Sequence, residues 1–227
     1  MKITSKERNW AAAMLLVLLT VAAYLPVLRN GFIWDDDAHV TSNQTLRTLL
    51  GLVNIWLKPE SLPQYYPLTH TSFWIEYHLW GLNPFGYHLV NVLLQALNAL
   101  LLWRVLDRLR LPGAWLAAAI FAVHPVQVET VAWITERKNL LSATFYLLAL
   151  WAYGRFCPWE SEPAAGANRR GFYWLAFGCL SVRCCARRLP VRCRWWCFCC
   201  CGGRETGSSG STDCGLCRLL RLGLDWG

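Results

Sequence analysis

The sequence predicts an all-α integral membrane fold: a partial helical bundle with four complete transmembrane helices, a broken fifth, and two outer loops carrying short interfacial helices. Composition is the first observation behind this. Hydrophobic residues make up 55% of the chain, charged residues only 16%, and 14 residues are Trp; a soluble domain carries about 25% charged residues. The second is clustering. Residues 11–28, 111–128 and 139–154 contain no Asp, Glu, Lys or Arg, and residues 84–103 contain only His88 as an ionisable group. A bilayer core about 30 Å thick takes roughly 20 mostly apolar helical residues, and these blocks approach that length. The third is the placing of basic residues at the ends of the blocks.

Taken in order, the first span covers 10–28 and is entered from Lys2, Lys6 and Arg8. A cleaved signal peptide is the competing reading. The apolar stretch is too long for a signal core, and no small-x-small site follows Leu28, so a retained span is expected. Residues 29–83 are polar, aromatic and broken by Pro59, Pro63 and Pro67, which reads as a large loop. Within it, 65–83 holds Trp74, Tyr77 and Trp80 beside Glu76 and His78. Such a run suits a helix lying along the interface, or a platform for sugar or lipid. The second span covers 84–103 and ends at Arg104, Arg108 and Arg110. The third begins after Gly113 and is cut short by His124-Pro125. A second polar stretch leads into the fourth span near 139–153. Arg155, Arg169 and Arg170 flank a Pro/Gly/Ala linker, and 172–178 begins a fifth apolar run. By the positive-inside rule, the N-terminus, 104–110 and 155–170 share the cytoplasmic face, and 30–83 and 124–138 share the other.

The net charge of +8 does not point to nucleic acid, because two compositions are joined in one chain. Residues 1–178 hold 14 basic and 11 acidic side chains, a balance of +3; residues 179–227 hold 8 and 3, a balance of +5. Of 11 Cys, ten lie from Cys179 onward. A zinc or disulfide reading needs regular spacing, usually with His partners; here the spacing is irregular and no His follows His124. The genetic code accounts for the tail better. Residues 191–203, read from the third base of each codon, permit the apolar string T-L-P-V-V-V-L-L-L-L-W-W. A frameshift near 178–180 is therefore expected. Residues 1–178 form the partial membrane domain, and 179–227 form an out-of-frame, disordered tail. As translated, Arg183, Arg187, Arg188, Arg192 and Arg194 would each cost several kcal/mol at bilayer depth, on the order of the membrane scales.

Chemistry has two candidate positions. Asp35, Asp36 and Asp37, followed by His39, lie just beyond the outer end of the first span. Adjacent carboxylates raise one another's pKa, and one can act as a general base toward a hydroxyl. A solvated acidic turn at the membrane interface is the plainer reading of the residues alone, since the cluster lies outside the hydrocarbon zone. The second position is His124 and Glu129, with Glu136, Arg137 and Lys138 after them. Arg137 and Lys138 suit a phosphate, the first by its fork and the second as a point charge. A Pro-broken helix end with snorkelling charges is the alternative.

Together, FIWDDDAHV (32–40), YYPLTHTSF (65–73), GLNPFGYHLVNVLL (81–94) and AVHPVQVETVAWITERKNLLSA (122–143) resemble the membrane part of transmembrane and tetratricopeptide-repeat proteins. These are grouped with protein O-mannosyltransferases in the GT-C class of glycosyltransferases. The resemblance covers roughly 10–178. It implies sugar transfer from a polyprenyl-phosphate donor to a protein or glycan hydroxyl at the outer leaflet, in a multi-pass protein embedded in membrane lipid. In a bacterium that membrane is the inner one. Carried over by residue, Asp36 is the base, with Asp35 and Asp37 beside it. His39, Glu76, His124, Glu129, Arg137 and Lys138 line the substrate site. Some relatives use a divalent metal; no ligand set is assigned here. Such enzymes have many more spans, so the chain as translated is expected to be inactive. A non-catalytic membrane scaffold with the same fold is the alternative. A transporter ranks last, since the ionisable groups lie at helix ends.

Overall fold

The computed structural model describes residues 5–156 and 169–186. Among them all regular structure is helical: α1 (Ser5–Tyr24), α2 (Leu49–Leu57), α3 (Pro67–Trp80), α4 (Pro84–Arg108), α5 (Ala114–Val123), α6 (Gln127–Ala132), α7 (Arg137–Phe156) and α8 (Arg169–Ala186). The tail expected to be out of frame lies outside the described residues from 187 onward.

Two helical segments are long and apolar enough to cross a membrane, Glu7–Arg29 and Pro84–Arg108, and Ala114–Val123 is apolar but shorter. The first segment tightens from α1 into a 3-10 turn, Leu25–Arg29, with a proline in its opening positions. Pro26 supplies no backbone donor for an α-helical bond there. One side of α1 leaves Trp10, Met14 and Leu18 exposed, as a lipid-facing stripe would. Its other side packs through Leu16 against Ala99 and Trp103 of α4 and Ala118 and Ala122 of α5. Small residues there let the backbones approach closely, which is how helices associate in lipid.

Two terminations follow from local sequence. α5 stops at His124, whose ψ of 134° is extended, because the ring of Pro125 excludes the helical conformation from the residue before it. α3 stops at Gly81, which has φ +61° and donates its N–H to the Tyr77 carbonyl at 2.9 Å. Glycine enters that region without the steric cost of a Cβ. α4 then starts behind Asn83, whose Oδ1 accepts from Phe85 N–H at 3.1 Å.

The stretch 29–83 departs from the expected large loop by packing as a unit. It folds on itself through α2, α3 and three short turns, around Val40, Leu46, Ile55, Phe73, Tyr87 and Ile134. Thr48 caps α2 by accepting from Gly51 N–H at 3.0 Å. Within the run 65–83 the helix is α3, Pro67–Trp80. The other departure concerns the composition boundary: α8 continues through 178–180 to Ala186 without a break. Arg183 is accommodated by donating to Ser142 Oγ at 3.1 Å and stacking 4.6 Å from the Tyr146 ring centre on α7.

Candidate functional site

Asp36 is the centre of the outer cluster. It is fully buried, and its two oxygens accept backbone donors from two different segments. Oδ2 takes Ile33 N–H at 3.0 Å, and Oδ1 takes Thr135 N–H at 3.0 Å. The second bond spans 99 residues of sequence and joins the acidic turn to the stretch just before α7. Burial pushes the Asp36 carboxyl above its usual range, while those two donors pull the other way. Asp35 and Asp37 flank it and are exposed. Asp37 is engaged locally, accepting from Thr41 Oγ1 at 2.8 Å. Among the described residues the Asp35 carboxylate takes no hydrogen bond.

Trp34 opens this turn with φ +46°, a left-handed conformation that a bulky side chain rarely adopts. Such strain costs about 1–3 kcal/mol and persists only where surrounding contacts hold it. Here the Trp34 ring meets Trp133 edge-on, with centres 5.3 Å apart. The same two segments that Asp36 ties by hydrogen bond are thus also tied by an aromatic pair.

Next to Asp36 lies a buried ion pair. Arg137 is completely buried at the start of α7 and pairs with Glu76 of α3. Its remaining donors reach Asn91 Oδ1 at 2.8 Å, the Tyr87 carbonyl at 2.7 Å and Ser72 Oγ at 3.3 Å. Its guanidinium also sits 4.9 Å from the Phe73 ring centre. Burial raises the Glu76 carboxyl to about 7 even with the cation beside it. Three helices therefore meet on one guanidinium.

The structure brings Asp35, Asp36, Asp37, His39, Glu76 and Arg137 into one region, and leaves two expected members apart. His124 is exposed, and its Nδ1 accepts from Val126 N–H at 3.2 Å, so it caps the turn after α5. Glu129 is exposed on α6 and is not drawn into the cluster. Lys138 pairs with Glu136 at 2.8 Å and lies 5.5 Å from the Tyr66 ring centre. The phosphate contact expected of Arg137 meets a different geometry, because its nitrogens are spent inside the protein.

Among curated proteins, the protein O-mannosyl-transferase Tmtc3 of Drosophila melanogaster is 32% identical over 207 residues, covering 77% of this chain and 22% of that protein. Over the matched residues the chain is similar to the TMTC proteins. Protein O-mannosyl-transferase Tmtc1 of the same fly is 36% identical over 149 residues, 60% of this chain and 17% of the relative. Protein O-mannosyl-transferase TMTC2 of Mus musculus is 35% identical over 150 residues, 61% and 18%. The chain spans about a fifth of the length of these TMTC relatives. No family model matches it, and no solved structure does.

Several residues that build this cluster were not singled out in the sequence. Asn91 donates to the Val131 and Trp133 carbonyls at 3.2 and 3.1 Å. His70 meets His39, and Thr135 enters through its backbone alone. Asn91 did carry a signal: His88, Asn91, Gln95 and Asn98 recur every three or four residues in an apolar helix, which puts them on one face. All four are buried.

Proposed function

We propose that this chain carries the acceptor side of a membrane glycosyltransferase that moves mannose from a polyprenyl-phosphate donor to a protein hydroxyl. It would do so at the non-cytoplasmic face of a multi-pass, GT-C-type bundle. The observation that carries the reading is the bond from Thr135 N–H to Asp36, which locks the acidic turn against the second outer segment. α1, α4, α5 with α6, and α7 would be the four spans, with the N-terminus cytoplasmic, and α8 would begin the fifth. The TMTC relatives are named as protein O-mannosyl-transferases, which supports mannose as the sugar and protein as the acceptor.

Within the turn the labour divides. Asp36, with no exposure and two backbone donors, holds the turn in place. Asp35 is exposed and uncommitted, so we assign it the base role expected of Asp36. It takes the proton of the acceptor hydroxyl, whose oxygen attacks the anomeric carbon. The bond from that carbon to phosphate oxygen breaks, and polyprenyl phosphate leaves with the electron pair. A carboxylate positioned in this way contributes about 10²–10⁴-fold. Glu76 and Arg137 act behind it, fixing α3, α4 and α7. Lys138, at the rim, is the cation left for the donor phosphate.

Two measurements test this. Ala38→Cys and Glu129→Cys lie on exposed positions of the two outer segments and should both label from outside the cell. Labelling on opposite sides removes the common site. Mannose transfer is then measured for the chain and for a form with the reading frame restored at 178–180. In the restored form, Asp35→Asn should lose transfer by two orders of magnitude or more while inserting normally. Normal transfer by Asp35→Asn and by Asp36→Asn would leave a non-catalytic scaffold as the reading.

A further inference from the structure

His39 and His70 meet edge to edge inside the outer cluster, with Nδ1 of His39 3.2 Å from Nε2 of His70. Both rings are buried, His70 completely and His39 to 5% exposure. The direction of the hydrogen bond between them follows from a third contact. His70 Nδ1 lies 3.0 Å from the Tyr66 carbonyl. A carbonyl oxygen can only accept, so the proton of His70 sits on Nδ1 and its Nε2 carries a lone pair. That lone pair must face a donor, so His39 carries its proton on Nδ1. The remaining His39 nitrogen, Nε2, is therefore a bare acceptor. A ring's tautomer is set by the bond its other nitrogen makes.

We propose that His39 Nε2 is a recognition point for a hydroxyl of the acceptor substrate, and that His70 is the positioning residue that keeps this nitrogen unprotonated. His39 follows Asp35 by one turn, its own N–H bonding the Asp35 carbonyl at 3.0 Å. Since a hydroxyl carries one proton, the hydroxyl held by Nε2 is a neighbour of the one that Asp35 deprotonates. The inference rests on the glycosyltransferase reading for the identity of the substrate, but the tautomer does not. The groups facing His39 favour its neutral state. Burial lowers its pKa first, the Lys138 ammonium on α7 lowers it further, and Asp35 on its own turn opposes them. His70, on α3, is pushed down to about 4 by burial, so it adds no charge at neutral pH.

The test uses ring ¹⁵N chemical shifts of the full chain, labelled at His and held in lipid nanodiscs at pH 7. His39 should show a protonated Nδ1 and a bare Nε2. A short Ser/Thr peptide should then move the Nε2 signal toward the hydrogen-bonded range. His70→Phe removes the acceptor for Nδ1–H, and should leave His39 as a mixture of tautomers with the peptide response reduced several-fold. His70→Gln offers Oε1 in place of the ring nitrogen and should restore both. A second measurement covers the case in which His70→Phe fails to fold. His39→Gln keeps an acceptor near the Nε2 position and should hold the peptide dissociation constant within a few-fold, whereas His39→Leu should raise it roughly tenfold, the scale of one buried hydrogen bond. Protonated Nε2 in the wild type, or an Nε2 signal indifferent to the peptide, overturns the proposal. Absence of mannose transfer in the frame-restored form, with the tautomer and peptide response intact, would instead count against the glycosyltransferase reading alone.

Discussion

The two halves of α4 solve the same problem by opposite means. Toward its C-terminal end, Ala99 and Trp103 pack against Leu16 of α1 and Ala118 and Ala122 of α5, with apolar contact only. Toward its N-terminal end, the buried residues include the polar His88, Asn91 and Gln95. The difference lies in the neighbours. Where α4 faces intact helices, their backbones are already satisfied and small residues allow close approach. Where it faces the breaks around His124-Pro125 and Trp133, carbonyls stand without helical donors. Asn91 supplies the Val131 and Trp133 carbonyls, and Gln95 those of Phe121 and Ala122. Non-helical backbone survives at membrane depth only when protein groups satisfy it in this way. The polar half of α4 is thus the price of holding an irregular, site-bearing segment against a span.

Arg137 is where the polar half can be broken hardest. Arg137→Met removes the partner of a buried carboxylate and four hydrogen bonds at once. Breaking such a pair costs roughly 3–5 kcal/mol, read as a fall in thermal midpoint in detergent. The double variant with Glu76→Gln should recover part of it, because no buried charge is then stranded. A loss below about 1 kcal/mol, within the range of an exposed pair, would show that the guanidinium is not the hub. Equivalent truncation in the apolar half, Trp103→Ala, should cost a similar roughly 3–5 kcal/mol but leave no trace in pH dependence.

That pH dependence follows from Glu76, whose folded carboxyl is raised from 4.5 to about 7. A raised acid binds its proton more tightly in the folded state. The resulting stability is fully present below about 4.5 and is lost as pH rises through about 7. A shift of this size corresponds to roughly 3 kcal/mol over the window. Glu76→Gln should flatten the profile between pH 5 and 8. A wild-type profile that is already flat would mean Arg137 holds Glu76 ionised throughout.

How much of this was written in the sequence depends on the range of the interaction. The helix breaks were legible, since Pro125 acts on the residue beside it and Gly81 on its own φ. The aromatic run over 65–83 was legible as a helix for the same reason. The acidic turn was found, but not the division within it. Asp36 is set apart from Asp35 and Asp37 by its burial and by a bond to a backbone N–H 99 residues away, and no local pattern encodes that. Arg137 was singled out because its guanidinium fork suits a phosphate. Its role was misjudged because Asn91 and Ser72, its partners, are 46 and 65 residues distant. The helicity of 179–186 was not legible either, since the composition changes there while the helix does not.

Asn91 offers a finer test. Asn91→Leu keeps the volume, takes a donor from the Val131 and Trp133 carbonyls, of which Trp133 keeps the Glu136 N–H, and strands one Arg137 donor. One to three kcal/mol is typical for each buried group left unpaired, but relaxation shares the loss, so roughly 2 kcal/mol is expected in total. The loss should appear as faster hydrogen exchange near Val131–Trp133 before any change in α1. Uniform loosening of both halves would erase the distinction between them.

Gln95 sets the lower bound. Its amide reaches Phe121 and Ala122 at 3.4 Å in both cases, the long end for such bonds, while its Oε1 is buried with no partner among the described residues. Gln95→Leu therefore loses two weak bonds and also removes one unsatisfied acceptor. The two effects oppose each other, and interhelical bonds in membranes average only about 0.6 kcal/mol. The expected change is a fall of that order or less, measured as a small shift in thermal midpoint. A loss as large as that of Asn91→Leu would mean the α5 carbonyls depend on α4 as heavily as the Trp133 turn does, and the polar half would then act as one continuous clamp. A gain in stability would place the boundary between the two halves one turn earlier, between Asn91 and Gln95.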